Sequence, residues 1–454
     1  MKSKAKQILG VLALSVLAGS VMAAVSPEEA AKLGTALTPI GAQKEGNAAG
    51  TIPEWTGGLP TNAAAVASNG FLSNPFAGEK PLYVITAQNM DQYKANLSEG
   101  QIAMFKRYPE TYKLPVYKTH RSVGMPQSVY DRTKQSALNT KLVDGGNGLE
   151  NFTDTRVFAF PLPTTGIEVI WNHLTRHLGG NVHRSMVQAT PQVNGSYTLV
   201  RMEDEVAYPQ DMTGVDVSST AMLFFKQRVT APARLAGNVL LVHESLNQVK
   251  EPRKAWVYNA GQRRVRLAPQ VAYDGPGTAS DGLRTSDNFS MFSGAPDRYD
   301  WKLIGKKEMY VPYNNYELAS PALKYDQIIK AGHLNQDLAR YELHRVWEVE
   351  ATLKSGERNI YAKRRFFIDE DSWSILVSEL YDGRGQLWRV GEAYQLQDFS
   401  RQASTNTAET LYDLIAGRYL VIGLNNEEKQ NHVYGLKASS AEFTPAALRN
   451  AGVR

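Results

Sequence analysis

From Asn181 to Phe399 the sequence reads as one strand after another, and this run constrains the fold more than any other feature. In SYTLVRMEDEVAYP, Thr198, Val200, Met202 and Val206 alternate with Arg201, Glu203 and Glu205, the period of a strand with one buried and one wet face. AMLFFKQRVTAP, LAGNVLLVHESLN and RKAWVYNAGQRRVRLAP follow, the last with its own hairpin turn at Asn259-Ala260-Gly261. After a long loop come WKLIGKKEMYVPY, YELHRVWEVEATLK, NIYAKRRFFID, WSILVSELYD and QLWRVGEAYQLQDF, with a tight-turn signal at Asp382-Gly383-Arg384-Gly385. About ten or eleven strands with hairpin-length joins and no alternating helices argue against a parallel sheet. Several are long for strands, which implies strong curvature. The expected fold is therefore mainly β with α: a large curved antiparallel sheet, a half-open barrel, covered by helices and shaped to hold a greasy cavity.

Two covering helices are expected. Thr165 and Glu168 form a capping box, and Ile167, Ile170, Trp171, Leu174 and Leu178 share one side before Gly179-Gly180 stops the helix. A second cover is expected at Leu411–Tyr419. Upstream, VFAFPL at 157–162 reads as a strand. Residues 25–150 have another texture: TPIGAQKEGNAAGTIPEWTGGLP favours an irregular path. Ser98 and Gln101 start a helix that ends near Tyr108-Pro109, and a weaker one runs from Gln127 to Leu138. The expected divisions are a signal peptide at 1–23, an irregular and helical extension at 25–150, and the sheet domain at 151–454.

The signal reading rests on Lys2, Lys4 and Lys6 before the apolar run ILGVLALSVLAGSV. That run is shorter than a spanning helix requires, which disfavours an uncleaved anchor. Cleavage is expected near Ala23 or Ala24, giving a periplasmic protein. There is no cysteine, so neither a lipid-modified N-terminus nor a disulfide is possible. The formal charge is +5, of which the three signal lysines account for most. No charge run is dense enough for nucleic acid. Arg263-Arg264 and Arg364-Arg365 are expected to line a solvated face.

Chemistry-bearing motifs are sparse. His173 and His177 have metal-compatible spacing on the capped helix, but no further ligand can be assigned, and two surface histidines are expected. IDEDS at 368–372 reads as a solvated hairpin turn rather than a calcium loop. Nucleophile-elbow, phosphate-loop and dinucleotide fingerprints are missing, so no catalytic residue, cofactor or metal is assigned. Aromatics are more informative. The candidate lining of an apolar cavity is Phe158, Phe160, Trp171, Trp256, Tyr258, Trp301, Trp347, Val349, Trp373 and Trp388, although an ordinary packed core would place the same residues inward. Trp347 is the leading single candidate. It sits mid-strand on the side of Leu343, Val349, Ala351 and Leu353, with Glu348 and Glu350 opposite.

KAWVYNAGQRRVRLAP resembles the strand–turn–strand of LolA/LolB-like lipoprotein carriers. GTIPEWTGGLP, YKTHRSVGMPQSVYD, NFSMFSGAPDRYDWKLIGKKEMYVPYN, YAKRRFFIDEDSWSIL and YDGRGQLWRV resemble an uncharacterised periplasmic family of proteobacteria, domain of unknown function 1329, often described as outer-membrane lipoprotein-sorting-like. The resemblance spans about Thr38 to Asp398. It implies a curved sheet closed by helices around acyl chains, and partnership with an RND-type transporter and an outer-membrane protein. The expected function is a periplasmic carrier or adaptor for a lipid or other hydrophobic molecule. The alternatives are a ligand-free scaffold with 25–150 as a docking arm and, last, an envelope hydrolase.

Overall fold

The computed structural model describes residues 25–216 and 219–452. The signal-peptide reading lies outside these residues. One large open sheet dominates. Across it the strands run Tyr83–Ile85, Leu114–Val116, Tyr341–Leu353, Lys363–Asp369, Ile375–Tyr381, Leu387–Asp398, Ala403–Asp413, Arg418–Leu424, Val182–Ala189, Val200–Ala207, Ala221–Ala231, Val239–Ser245, Lys254–Asn259 and Arg264–Leu267. Tyr299–Pro312 pairs along Tyr341–Leu353, off this path. Within this sheet the described strands pair antiparallel, apart from a parallel bridge between Tyr341 and Val116. Register shifts at Leu303/Gly305, Phe367/Ile368, Leu380/Tyr381, Tyr394/Gln395 and Arg201/Met202 supply curvature, since a bulge bends its strand and increases its twist.

The topology consists of two meanders. One runs from Val182 to Leu267 and the other from Tyr299 to Leu424, and they join where Arg418–Leu424 pairs with Val182–Ala189. The chain therefore leaves the sheet at one edge, Arg264–Leu267, and re-enters toward the opposite edge at Tyr299–Pro312. The intervening segment, 268–298, has to cross a face of the sheet.

Both capping boxes form. Ser98 opens the helix Glu99–Arg107, and Thr165 opens Gly166–Thr175, where the Thr165 amide donates to Glu168 Oε2 at 2.9 Å. The weaker helix spans Gln127–Asn139. Gly166–Thr175 lies against strands Tyr299–Pro312 and Tyr341–Leu353, with Val169, Ile170 and Trp171 in the main core.

Two expected elements are different. The helix expected at Leu411–Tyr419 is a hairpin: Leu411 lies in the strand Ala403–Asp413, Tyr419 in the strand Arg418–Leu424, and Gly417 takes φ +65° in the turn. The apolar residues there alternate between the faces of paired strands, and the turn glycine fits a left-handed position better than a helix interior. The 157–162 stretch forms no strand. Asn172 substitutes for a ladder partner, accepting from Phe160 N at 2.7 Å and donating to Phe160 O at 2.6 Å.

Residues 25–150 share cores with the sheet. Ile40, Val123, Met125 and Val129 lie in one cluster with Val349, Phe366 and Trp373. Ile85, Met104, Phe105 and Leu114 lie in another with Tyr341, Tyr394 and Val421.

Candidate functional site

On the first meander the inward phase is Val200, Met202, Asp204 and Val206, then Leu223, Phe225, Gln227 and Val229, then Leu240, Val242 and Glu244, as the pairings Met202–Val229, Asp204–Gln227 and Val206–Phe225 show. Opposite this face lie the C-terminal end of the capped helix and the crossing segment. Between them is a cavity of about 150 Å³. Leu174, Leu178, Val206, Leu223, Phe225 and Phe289 give it apolar walls, and Arg176 and Arg284 also border it. A smaller space of about 80 Å³ shares Arg176, Leu178, Arg184, Val206, Tyr208 and Ser290 with it and reaches Glu409.

The crossing segment is fastened by side chains of the strands beneath. Gln188 Nε2 donates to the carbonyls of Thr278 and Ala279 at 3.1 and 2.7 Å, Arg389 donates to Gly282 O at 2.8 Å, and Arg364 pairs with Asp287 at 2.6 Å. Tyr273, Ala279, Asp281, Ser290 and Met291 all hold positive φ, a concentration of strained backbone in one irregular cover.

His173 ties the helix to this cover. The Ile375 amide donates to His173 Nδ1 at 3.1 Å, so Nδ1 carries no proton and Nε2–H donates to Ser290 O at 2.9 Å. Burial and the neighbouring Arg176 push His173 well below its ordinary pKa, which keeps it neutral. His177 is likewise buried and is pulled down to about 4 by burial. The two surface histidines expected from the sequence are therefore both interior: His173 sits on the helix between Trp373 and Ser290, and His177 is buried just beyond the helix end at Thr175.

IDEDS is also interior. Asp369, Glu370, Asp371 and Ser372 are all buried, under segment 25–150. Arg121 grips Asp371 with two bonds of 2.8 and 2.6 Å, Lys306 pairs with Glu370 at 2.8 Å, and Ser372 donates to Asp369 at 2.7 Å. His344, Asp369 and Asp371 bring donor atoms within 4.8 Å of one another, the one such grouping among the described residues. Both Asp371 oxygens already face Arg121, and His344 Nε2 faces Glu342 at 3.0 Å. The cluster is thus a buried charge tie. Arg364 departs from expectation in the same way: it is fully buried on Asp287 and Tyr299, whereas Arg365 stays half-exposed among Glu348 and Glu350.

None of the ten aromatic and aliphatic candidates borders this cavity. Phe158, Phe160, Trp171, Trp301, Trp347, Val349 and Trp373 belong to the main packed cluster. Trp256 and Tyr258 pack on the other face of the first meander, with Phe443 and Leu448, and Trp388 lies with Tyr361. Trp347 is stacked on Trp373 at 5.8 Å under the Lys306 ammonium. The cavity residues left a different trace in the sequence. Gln227 and Glu244, which line it, and Asp204, which holds the lining Arg184, are polar side chains at the apolar phase of their strands. That conflict with the pattern was the available signal.

The family model described as "Protein of unknown function (DUF1329)" matches residues 84–449. A Pseudomonas aeruginosa protein, "Uncharacterized protein PA3922", is 64% identical over 447 residues, 98% of either chain. Among solved structures, a DUF1329 family protein from Desulfovibrio piger aligns with TM-score 0.41 and 16% identity, over 59% of this chain and 91% of its own. The LolA superfamily protein NE2245 from Nitrosomonas europaea aligns with TM-score 0.38 and 10% identity, over 62% and 98%. Matched across most of its length by the family model and nearly end to end by the Pseudomonas protein, this chain belongs to the DUF1329 family.

Proposed function

We propose that the protein is a periplasmic carrier for a lipid or similar hydrophobic molecule. The observation that supports this reading is the largely apolar, partly open cavity between the first meander and the segment that crosses it. At about 150 Å³ it falls below the roughly 300–1,000 Å³ of typical ligand pockets. It therefore takes part of a chain when closed and more when the crossing segment lifts. The cover is this segment together with the end of the capped helix, rather than a helix alone. Burial supplies the affinity, at about 0.8 kcal/mol per CH₂ removed from water.

Binding rather than catalysis is also what the lining suits. It is mostly apolar with four arginines, and its one carboxylate, Glu244, is held by Arg253. In this reading the ligand passes between an RND-type envelope transporter and an outer-membrane protein. The leader-like N-terminal sequence supports export, and no helix among the described residues is long and apolar enough to cross a membrane.

The test is extraction of lipid from protein purified from the periplasmic fraction, followed by titration with a neutral fluorescent probe, N-phenyl-1-naphthylamine. Co-purifying lipid, or saturable probe binding at micromolar protein, is expected. Neither lipid nor probe binding would leave the ligand-free scaffold.

A further inference from the structure

The cavity is not uniformly greasy. Arg176, Arg184, Arg253 and Arg284 border it, and Arg176 and Arg284 are each only 6% exposed. Two of the four cations have dedicated partners. Arg184 pairs with Asp204 at 3.0 Å, and Arg253 pairs with Glu244. Arg176 and Arg284 form no ion pair among the described residues. The one further carboxylate near both is Glu409, which is half-buried and already accepts from Met291 N and Asn406 Nδ2, each at 3.2 Å. Arg284 also feels Asp204, which Arg184 already engages, so the four guanidinium groups face three carboxylates, Asp204, Glu244 and Glu409, and positive charge is left in excess.

Their hydrogen bonding is incomplete as well. Nε of each arginine has no partner. Arg176 spends its other nitrogens on His173 O and Ser290 Oγ. Arg284 rests on the Phe289 ring at 5.3 Å, and no hydrogen bond leaves its guanidinium among the described residues. Burial pulls each down to about 10, the mark of a charge held with too little compensation. A buried charge of this kind is costly unless something neutralises it.

We propose that the ligand is a single-chain amphiphile with an anionic head, carboxylate or phosphate, and that Arg284 and Arg176 receive this head while the apolar walls take the chain. The inference rests on the carrier reading. A guanidinium fork matches either anion, and the free donors lie in the same cavity as Leu174, Leu223 and Phe225. Spaces of about 150 and 80 Å³ suit one chain rather than two.

Arg284 is the residue to vary, because Arg176 also holds the end of the capped helix. Dodecanoate, dodecyl phosphate and dodecanol are titrated against N-phenyl-1-naphthylamine bound to the full protein, with inorganic phosphate as a headgroup-only control. At least one of the two anions is expected to bind tenfold or more tightly than the alcohol, and their order identifies the head. Inorganic phosphate alone should not displace the probe. Arg284→Gln should lower the affinity for the preferred anion tenfold or more and remove its preference over dodecanol, and Arg284→Lys should keep part of it. Thermal unfolding of ligand-free Arg284→Gln provides a second reading. Loss of an uncompensated buried charge should leave the melting temperature unchanged or higher. Equal affinities for acid, phosphate and alcohol would overturn the anionic head while the carrier stands. So would a preference that survives Arg284→Gln. Absence of probe binding altogether would overturn the carrier reading itself.

Discussion

Glu392 is a buried group whose titration bears directly on stability. It is fully buried, and the hydroxyls of Tyr112, Tyr341 and Tyr394 donate to it at 3.0–3.2 Å. Burial nevertheless raises its pKa to about 7. The folded protein therefore binds more protons here than the unfolded chain between roughly pH 4.5 and 7. Its contribution is fully present below the lower value and is lost as pH rises through the upper one, a loss of about 3 kcal/mol. Glu392→Gln should flatten this part of the stability profile, so that the variant gains on wild type from pH 5 to pH 8 in denaturant titrations. Parallel profiles would show that Glu392 is ionised throughout. Nothing in EAYQLQDF announces such a group; it emerges when three tyrosines from separate segments converge. Arg364 and Asp371 teach the same lesson, since each looked solvated in its own strand and each found its partner far along the chain, at Asp287 and Arg121.

At the level of elements, local rules held where local energies decide. Both capping boxes formed, because a Ser or Thr with Glu or Gln three residues on satisfies two free backbone amides without tertiary help. The stretch Leu411–Tyr419 fits a helix from sequence but forms a hairpin, because a short apolar run fits either period and its pairing partners decide between them. The crossing segment 268–298 looked like a loop and proves to be the cover. Gln188 is its plainest fastening. Gln188→Ala removes two hydrogen bonds, worth about 1–2 kcal/mol together. Amide exchange measured by mass spectrometry should quicken across 274–290 while the strand Val182–Ala189 keeps its protection. Equal quickening in both would mean that cover and sheet open as one unit.

For the whole molecule, the decisive fact is that residues 25–150 complete the cores of the sheet. Trp373 Nε1 donates to Ile40 O at 3.0 Å, Gly100 N donates to Glu379 at 2.6 Å, and Arg121 neutralises Asp371. Residues 151–454 produced alone should therefore bind a hydrophobic dye strongly, lose near-ultraviolet circular dichroism and unfold without a cooperative transition. A sharp transition would mark the segment as a separable extension. The sequence by itself determined the strand succession, the antiparallel sheet and the capped helices, because two- and 3.6-residue periods and cap chemistry act over a few neighbours. Only the tertiary structure decided which polar residues are interior and where the cavity lies. Those outcomes depend on a chain that leaves one edge of the sheet and must cross its face to reach the other, and on charges whose partners lie hundreds of residues away.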